Sequence, residues 1–193
     1  MKFILALSFF ISTSVLANPC NGAVGAFHTN PDSSIGGFVA ATATAAPTAY
    51  IGMNSEVCQT AKVLGSAVVL GTSRILQSAR IEDSATIENA IVRDQARVAG
   101  NAQVKNGAMV KDQAVVAENA QVIGSEFGSN RPLIHQTAFV GGNAFVGELA
   151  QVYGSARVTG GGVTQSAQVH GSAMIFLFAQ IRGSSQVYGR AQV

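Results

Sequence analysis

The feature that most constrains this chain is a repeat with a period of six residues, clearest between Ala96 and Val122. A small residue, a variable residue and a branched aliphatic recur in the triplets Ala96-Arg97-Val98, Ala102-Gln103-Val104, Ala108-Met109-Val110, Ala114-Val115-Val116 and Ala120-Gln121-Val122. In an extended strand the first and third residues of a triplet share one face, and the middle residue points the other way. A helix turns every ~3.6 residues, so a period of six cannot hold one of its faces. The period therefore predicts short strands with alternating inward and outward positions.

The residues between the triplets predict sharp turns. They are rich in Gly, Asn, Asp and Ser, as in Gly100-Asn101, Asn106-Gly107 and Asp112-Gln113. These residue types tolerate turns and left-handed backbone angles. Each six is therefore predicted to be one short strand followed by one corner.

This pattern resembles the hexapeptide-repeat superfamily, and its A-x-V-x-G-x form is similar to tandem-repeat proteins that have no assigned chemistry. The resemblance implies an all-β fold, a single-stranded left-handed parallel β-helix. In that fold three hexapeptides make one coil of a triangular solenoid. The composition agrees, because the hydrophobic 48% of the chain is mainly Ala and Val, which suit a narrow interior.

The chain divides into three predicted segments. Residues 1–17 combine an early lysine, an apolar run and a small-residue cleavage site, as in a secretory signal peptide. Residues 18–36 lack the period and are predicted to form an N-terminal cap or loop. Residues 37–193 carry the hexapeptide-repeat β-helix. The signal peptide predicts an exported protein that is periplasmic, on the outer surface or secreted.

The solenoid is predicted to keep its phase through the irregular stretch near Ser125. Val122 and Val140 lie eighteen residues apart, which is three sixes. On that spacing Gly128 and Ile134 fill the two inward positions between them. The sequence therefore predicts one continuous solenoid without a domain break.

The two cysteines of the chain, Cys20 and Cys58, are predicted to form a disulfide. A pair of cysteines in an exported chain is typical of a structural bridge. The alternative is two unpaired buried thiols. A bridge would fasten the N-terminal segment to an early coil.

Outward residues three sixes apart are expected to stack about 4.8 Å apart along one face. On the predicted phase they form an association stripe of apolar side chains, Ile91, Met109, Phe127 and Phe145. Contiguous exposed apolar surface is typical of an interface. Since members of the superfamily are commonly trimers, the resemblance favours a homo-trimer. The alternative is that Gly128 distorts its coil and Phe127 packs inward.

A second surface combines glutamines with aromatic rings. It consists of a glutamine series, Gln151, Gln168 and Gln186, and of an aromatic column at the following corner, His135, Tyr153, His170 and Tyr188. Flat rings beside amides can stack on sugars and hydrogen-bond their hydroxyls, so this surface is a candidate ligand ladder for an envelope glycan. The alternative is a solvated stack that only supports the corner.

One histidine is a candidate catalytic residue. The segment Ile134-His135-Gln136-Thr137-Ala138 resembles the I-H-x-T-A opening of a lipid A-type acyltransferase, which would make His135 a general base. Against this, the sequence shows no long protruding loop, and an exported protein meets no coenzyme A. The three histidines of the chain form no metal-binding motif, so neither a metal nor another cofactor is expected.

The sequence therefore predicts an exported, non-catalytic β-solenoid that acts as a structural or adhesive, binding element of the bacterial cell envelope. Its expected partners are further copies of itself and an envelope glycan or protein. A net charge of +2 argues for neither nucleic acid nor an anionic membrane. The alternative function is a hexapeptide-type acyltransferase that uses His135.

Overall fold

The computed structural model describes residues 18–125 and 131–193, and these residues form an all-β solenoid of about eight turns. Three sheets run along the solenoid, so each turn has a triangular section. No helix in the described ranges is long and apolar enough to cross a membrane. The predicted triangular parallel β-helix is confirmed.

Each sheet contains every third strand of the coiled part of the chain. Sheet A contains β1 (Gly25–Thr29), β2 (Ile35–Ala40), β5 (Glu56–Val57), β8 (Arg74–Ile75), β11 (Ile91–Val92), β14 (Met109–Val110), β17 (Leu133–Ile134), β20 (Gln151–Val152), β23 (Gln168–Val169) and β26 (Gln186–Val187). Sheet B contains β3 (Thr44–Ala45), β6 (Lys62–Val63), β9 (Arg80–Ile81), β12 (Arg97–Val98), β15 (Val115–Val116), β18 (Phe139–Val140), β21 (Arg157–Val158) and β24 (Met174–Ile175). Sheet C contains β4 (Tyr50–Ile51), β7 (Val68–Leu70), β10 (Thr86–Glu88), β13 (Gln103–Lys105), β16 (Gln121–Ile123), β19 (Phe145–Gly147), β22 (Gly162–Val163) and β25 (Gln180–Ile181).

The core is a continuous stack of small and branched aliphatic side chains along the solenoid axis. Ala102 and Val104 are fully buried, whereas Gln103 between them is only partly buried. The same alternation recurs in successive strands, as the two-residue side-chain period of a strand requires. The inward and outward positions of the sequence analysis are therefore correct for the repeats around Val104.

The corners rely on left-handed backbone conformations. Asp83 adopts φ +60° and its Oδ2 accepts a hydrogen bond of 2.9 Å from the backbone N–H of Gly100 in the next coil. Beside the left-handed positions of this corner, the side-chain amides of Asn101, Asn119 and Asn143 follow one another in successive coils. The distance from each Nδ2 to the next Oδ1 is 3.3 Å. Polar corner residues thus connect neighbouring coils as well as turning the chain.

The N-terminal segment is a cap built around a hairpin. Strand β1 pairs antiparallel with β2, while the coils behind it pair in parallel. Asn30 is buried, and its Oδ1 accepts a 2.8 Å hydrogen bond from the backbone N–H of Ile51. A short 3-10 helix, η1 (Pro19–Asn21), precedes the hairpin, and the predicted disulfide joins its Cys20 to Cys58.

The predicted phase beyond Val122 is wrong, although the solenoid itself continues. Val110 pairs with Ile134, and Val122 pairs with Val146, so each partner lies twenty-four residues on instead of eighteen. The chain thus has one additional six-residue repeat between β16 and β17. Each later strand therefore lies in the sheet next to the one predicted for it. The predicted inward residue Gly128 lies outside the described residues.

We expect Val104→Asp to unfold at least its own coil. The substitution buries a carboxylate without a partner, which costs several kcal/mol. Gln103→Asp places the same group one residue earlier on the outward side and should cost less than about 1 kcal/mol. Melting temperatures from circular dichroism check this, and equal losses in the two variants would contradict the inward assignment of Val104.

Candidate binding surface

Sheet A brings the apolar and glutamine series onto one face. Its outward residues pair in the order Ile91, Met109, Leu133, Gln151, Gln168 and Gln186. The glutamine series therefore continues from an apolar part of the same sheet. This juxtaposition follows from the extra six residues before β17.

The association stripe of the sequence analysis does not form as predicted. Ile91 and Met109 are neighbours, but the next outward residue of their sheet is Leu133. Phe145 lies on sheet C, where it pairs with Gln121 and Gly162. Phe127 lies outside the described residues. The extra six moved Phe145 to another face, because it shifted the coils by one third of a turn.

The aromatic column forms as one continuous stack. The ring centroids of His135, Tyr153, His170 and Tyr188 follow one another at 5.1, 4.7 and 5.5 Å, with interplanar angles of 19°, 4° and 14°. These separations match the spacing of parallel strands, about 4.8 Å, so the coil repeat itself sets the stacking distance. The residues predicted to share this corner do share it.

The stack leaves ring edges, and not ring faces, for a ligand. Each ring covers the face of the next, and the phenol of Tyr153 hydrogen-bonds the Oε1 of Gln168 at 3.1 Å. The outermost ring, Tyr188, is 62% exposed. The expectation that sugars stack on ring faces along the column is therefore wrong for its inner rings. The surface offers phenol, imidazole and amide groups at regular intervals instead.

His135 sits where the aromatic column meets two charged residues. Its Nδ1 lies 3.8 Å from Oδ2 of Asp112, and its side chain is 17% exposed. Burial lowers the pKa of His135 below its usual value, the charge of Lys111 lowers it further, and the carboxylate of Asp112 raises it. Burial and the charge of Lys111 thus both disfavour protonation of the imidazole.

The structure groups no metal ligands among the histidines of the described ranges. His28 belongs to the N-terminal hairpin, with its Nε2 3.0 Å from the carbonyl oxygen of Ala49. Tyr153 stands between the rings of His135 and His170. One cluster of Cys20, Glu56 and Cys58 has metal-like spacing, but both sulfurs are used in the disulfide.

A second surface was missed by the sequence analysis. The corner after β24 carries Phe176, Leu177 and Phe178, all exposed. They border a shallow recess of about 550 Å³ that Gly142 and Thr159 also line. Three consecutive apolar residues, where corners such as those of Asp83 and Glu118 carry polar residues, were the signal that could have revealed it.

Comparisons with protein-family models, curated proteins and solved structures find no match for this chain. Its class therefore rests on its own geometry. In the described ranges it is a triangular parallel β-solenoid that displays an aromatic corner and an apolar corner.

We expect the His135 pKa to respond oppositely to its two charged neighbours. Lys111→Gln removes a positive charge and should raise this pKa, whereas Asp112→Asn removes a negative charge and should lower it. NMR titration of the His135 ring protons measures both shifts. A wild-type pKa at or above 6.5, or shifts of the same sign, would contradict the proposed environment.

The same pKa has a consequence for stability. Because the folded-state pKa of His135 is lowered, the unfolded chain takes up a proton first as the pH falls. The stabilisation that the neutral His135 ring gives to the folded protein is fully present above the unfolded-state pKa, near 6.5. It declines as the pH falls from there towards the lower folded-state pKa.

Proposed function

We propose that this protein is an exported, non-catalytic β-solenoid of the left-handed hexapeptide-repeat type that acts as a structural and binding element of the bacterial cell envelope. The composition of residues 1–17 supports export. The Cys20–Cys58 disulfide is weakly compatible with an oxidising compartment. The repeat and the triangular coil support the family resemblance.

The observation that carries the binding function is the aromatic column beside the glutamine series. Gln151 and Gln168 are half-buried next to the column, and Tyr153 is hydrogen-bonded to Gln168. The β ladder fixes the spacing of their backbones, and the hydrogen bond from Tyr153 restrains the side chain of Gln168, so less side-chain freedom remains to be lost when a ligand binds. Such a preorganised surface favours specific hydrogen bonding.

The spacing of the groups favours a polymeric ligand with many hydroxyls and amides. Each coil adds one amide and one ring edge, about 4.8 Å from those of the previous coil. A glycan strand can bind several such groups at once, and weak contacts then add up to useful affinity. The linked sugar units of peptidoglycan carry hydroxyl and amide groups, so we propose an envelope glycan as the ligand.

We expect the double substitution Gln151→Ala and Gln168→Ala to reduce binding to purified peptidoglycan sacculi several-fold. Each substitution removes an amide that hydrogen-bonds the ligand, at about 1 kcal/mol per bond. Co-sedimentation measures the bound fraction. The matched control is Gln103→Ala with Gln121→Ala, which removes two neighbouring outward glutamines from sheet C. Equal binding by both double variants would contradict the proposed surface.

The second candidate function is acyl transfer with His135 as general base. One observation favours it, the approach of the Asp112 carboxylate to the imidazole Nδ1 at 3.8 Å. The ring of Tyr153, however, covers one face of the imidazole. A transfer activity that His135→Ala abolishes, while the β-rich circular dichroism is retained, would favour the enzyme over the binding protein.

We also propose that the protein self-associates, with a trimer as the expected form. The support is the apolar part of sheet A, where Ile91, Met109 and Leu133 are half-buried and point outward. A continuous apolar strip on each copy can close around a rotation axis. It lies in different coils from the glutamine series, so both surfaces can act in one assembly.

We expect Met109→Glu to convert the oligomer to a monomer, because it places a charge at the centre of the apolar strip. The control is Val115→Glu, which changes a half-buried outward residue of sheet B. Light scattering measures the mass of each variant. A wild-type protein that is monomeric at micromolar concentration would contradict the proposal.

A further inference from the structure

We infer that the apolar corner Phe176–Phe178 docks the protein on an anionic phospholipid bilayer. This surface lies at the corner between sheets B and C, away from the aromatic column. The inference goes beyond glycan binding, and it rests on the proposed export only for which membrane the protein meets.

The corner exposes three consecutive large apolar side chains. Phe176, Leu177 and Phe178 are 37%, 72% and 90% exposed. The same turn holds Asp83-Ser84 and Glu118-Asn119 in earlier coils, which suit contact with water. The apolar corner therefore exposes apolar side chains where these earlier coils expose polar ones, and exposed apolar area is what favours transfer out of water.

The backbone at this corner does not require an apolar residue. Leu177 adopts φ +58°, in the left-handed region that glycine and asparagine tolerate far better. The corresponding positions of earlier coils hold Gly65, Asp83, Gly100, Glu118 and Gly142. Leucine thus exposes apolar surface at a turn that glycine and acidic residues also form, and it does not fill the core. Packing within one copy does not account for it.

The C-terminal part of the solenoid, which includes this corner, carries an excess of positive charge. Residues 131–193 hold four arginines and one glutamate, a net charge of +3, whereas residues 18–125 hold seven basic and eight acidic residues. Arg157 is an exposed outward residue of sheet B one coil before the corner, and its guanidinium lies 4.5 Å from the ring centroid of Phe139. Arg182 lies beyond β25, at the corner between sheets C and A, and its Nη2 donates to Oε1 of Gln180 on sheet C at 2.9 Å. In the described ranges neither arginine has a carboxylate within ion-pair distance.

A bilayer fits this surface better than a protein partner does. A stable protein interface buries roughly 800 Å² on each side, more than one three-residue corner offers. Interfacial membrane binding needs only a few inserted apolar side chains and nearby basic residues. The whole-chain charge of +2 does not show the positive charge of the C-terminal part, because the acidic residues are concentrated in the first two thirds of the solenoid.

The backbone limits the depth of insertion. The N–H of Phe176 donates to the carbonyl oxygen of Val193 at 3.1 Å, and that of Ala179 donates to the carbonyl oxygen of Phe176 at 3.4 Å. These bonds hold the turn together while its side chains project. A turn cannot satisfy all its polar groups in hydrocarbon, so docking at the headgroup boundary is expected.

The test is co-sedimentation of the purified protein with vesicles of phosphatidylglycerol and phosphatidylethanolamine, compared with vesicles of phosphatidylcholine alone. We expect the wild type to bind the anionic vesicles at least tenfold more strongly, and added salt to weaken that binding. Absence of binding to the anionic vesicles, or equal binding to both compositions, would overturn the inference.

The matched variants are Leu177→Asn and Leu149→Asn. Both replace an exposed leucine at a corner, but Leu149 lies between sheets C and A. Leu177→Asn should lower vesicle binding about tenfold, while its melting temperature is unchanged or higher, because asparagine tolerates the left-handed turn. Leu149→Asn should bind like the wild type. Equal losses in both variants, or no loss in either, would contradict the assignment to this corner.

Two further readouts separate the competing explanations. Loss of an oligomer in Leu177→Asn without vesicles, seen by light scattering, would assign the corner to a second copy instead. Binding of Leu177→Asn to peptidoglycan sacculi should equal that of the wild type. Failure of glycan binding therefore leaves the vesicle result interpretable, and failure of vesicle binding leaves the glycan proposal standing.

Discussion

The burial of one small and one branched aliphatic side chain per strand is the interaction on which the rest of this structure depends. No single coil can cover its own apolar interior, so each is stable only with neighbours above and below. Val104, for example, is fully buried among equivalent residues of adjacent coils. The parallel ladder then fixes the distance between coils, and with it the spacing of everything displayed outside.

That fixed spacing explains the main surface features. Side chains at equivalent positions lie one strand apart, which suits flat rings and amides equally. Tyr153 and His170 stack in nearly parallel planes, and Asn101 and Asn119 align their amides. The aromatic column therefore supports the corner and also presents polar ring edges. The two interpretations of this column, support and ligand binding, are compatible in one structure.

The corners are the part of the fold that tolerates the most variation. Their left-handed positions accept Gly, Asp or Glu with little change in the coil, as at Gly65, Asp83 and Glu118. The corners can consequently hold exposed residues that the fold itself does not require. Leu177 occupies such a position and is 72% exposed.

The sequence by itself determined the strands of the coils, their inward residues, the cysteine pair and the aromatic column, because each follows from the six-residue period or from residue type. Only the tertiary structure decided which residues share a face beyond β16. An insertion of one whole period preserves the alternation of buried and exposed residues, so sequence spacing cannot detect it. The pairing of Met109 with Leu133 reveals the shift and separates Phe145 from the predicted stripe. The N-terminal hairpin and the stacking of the rings on one another likewise depend on contacts between segments distant in sequence.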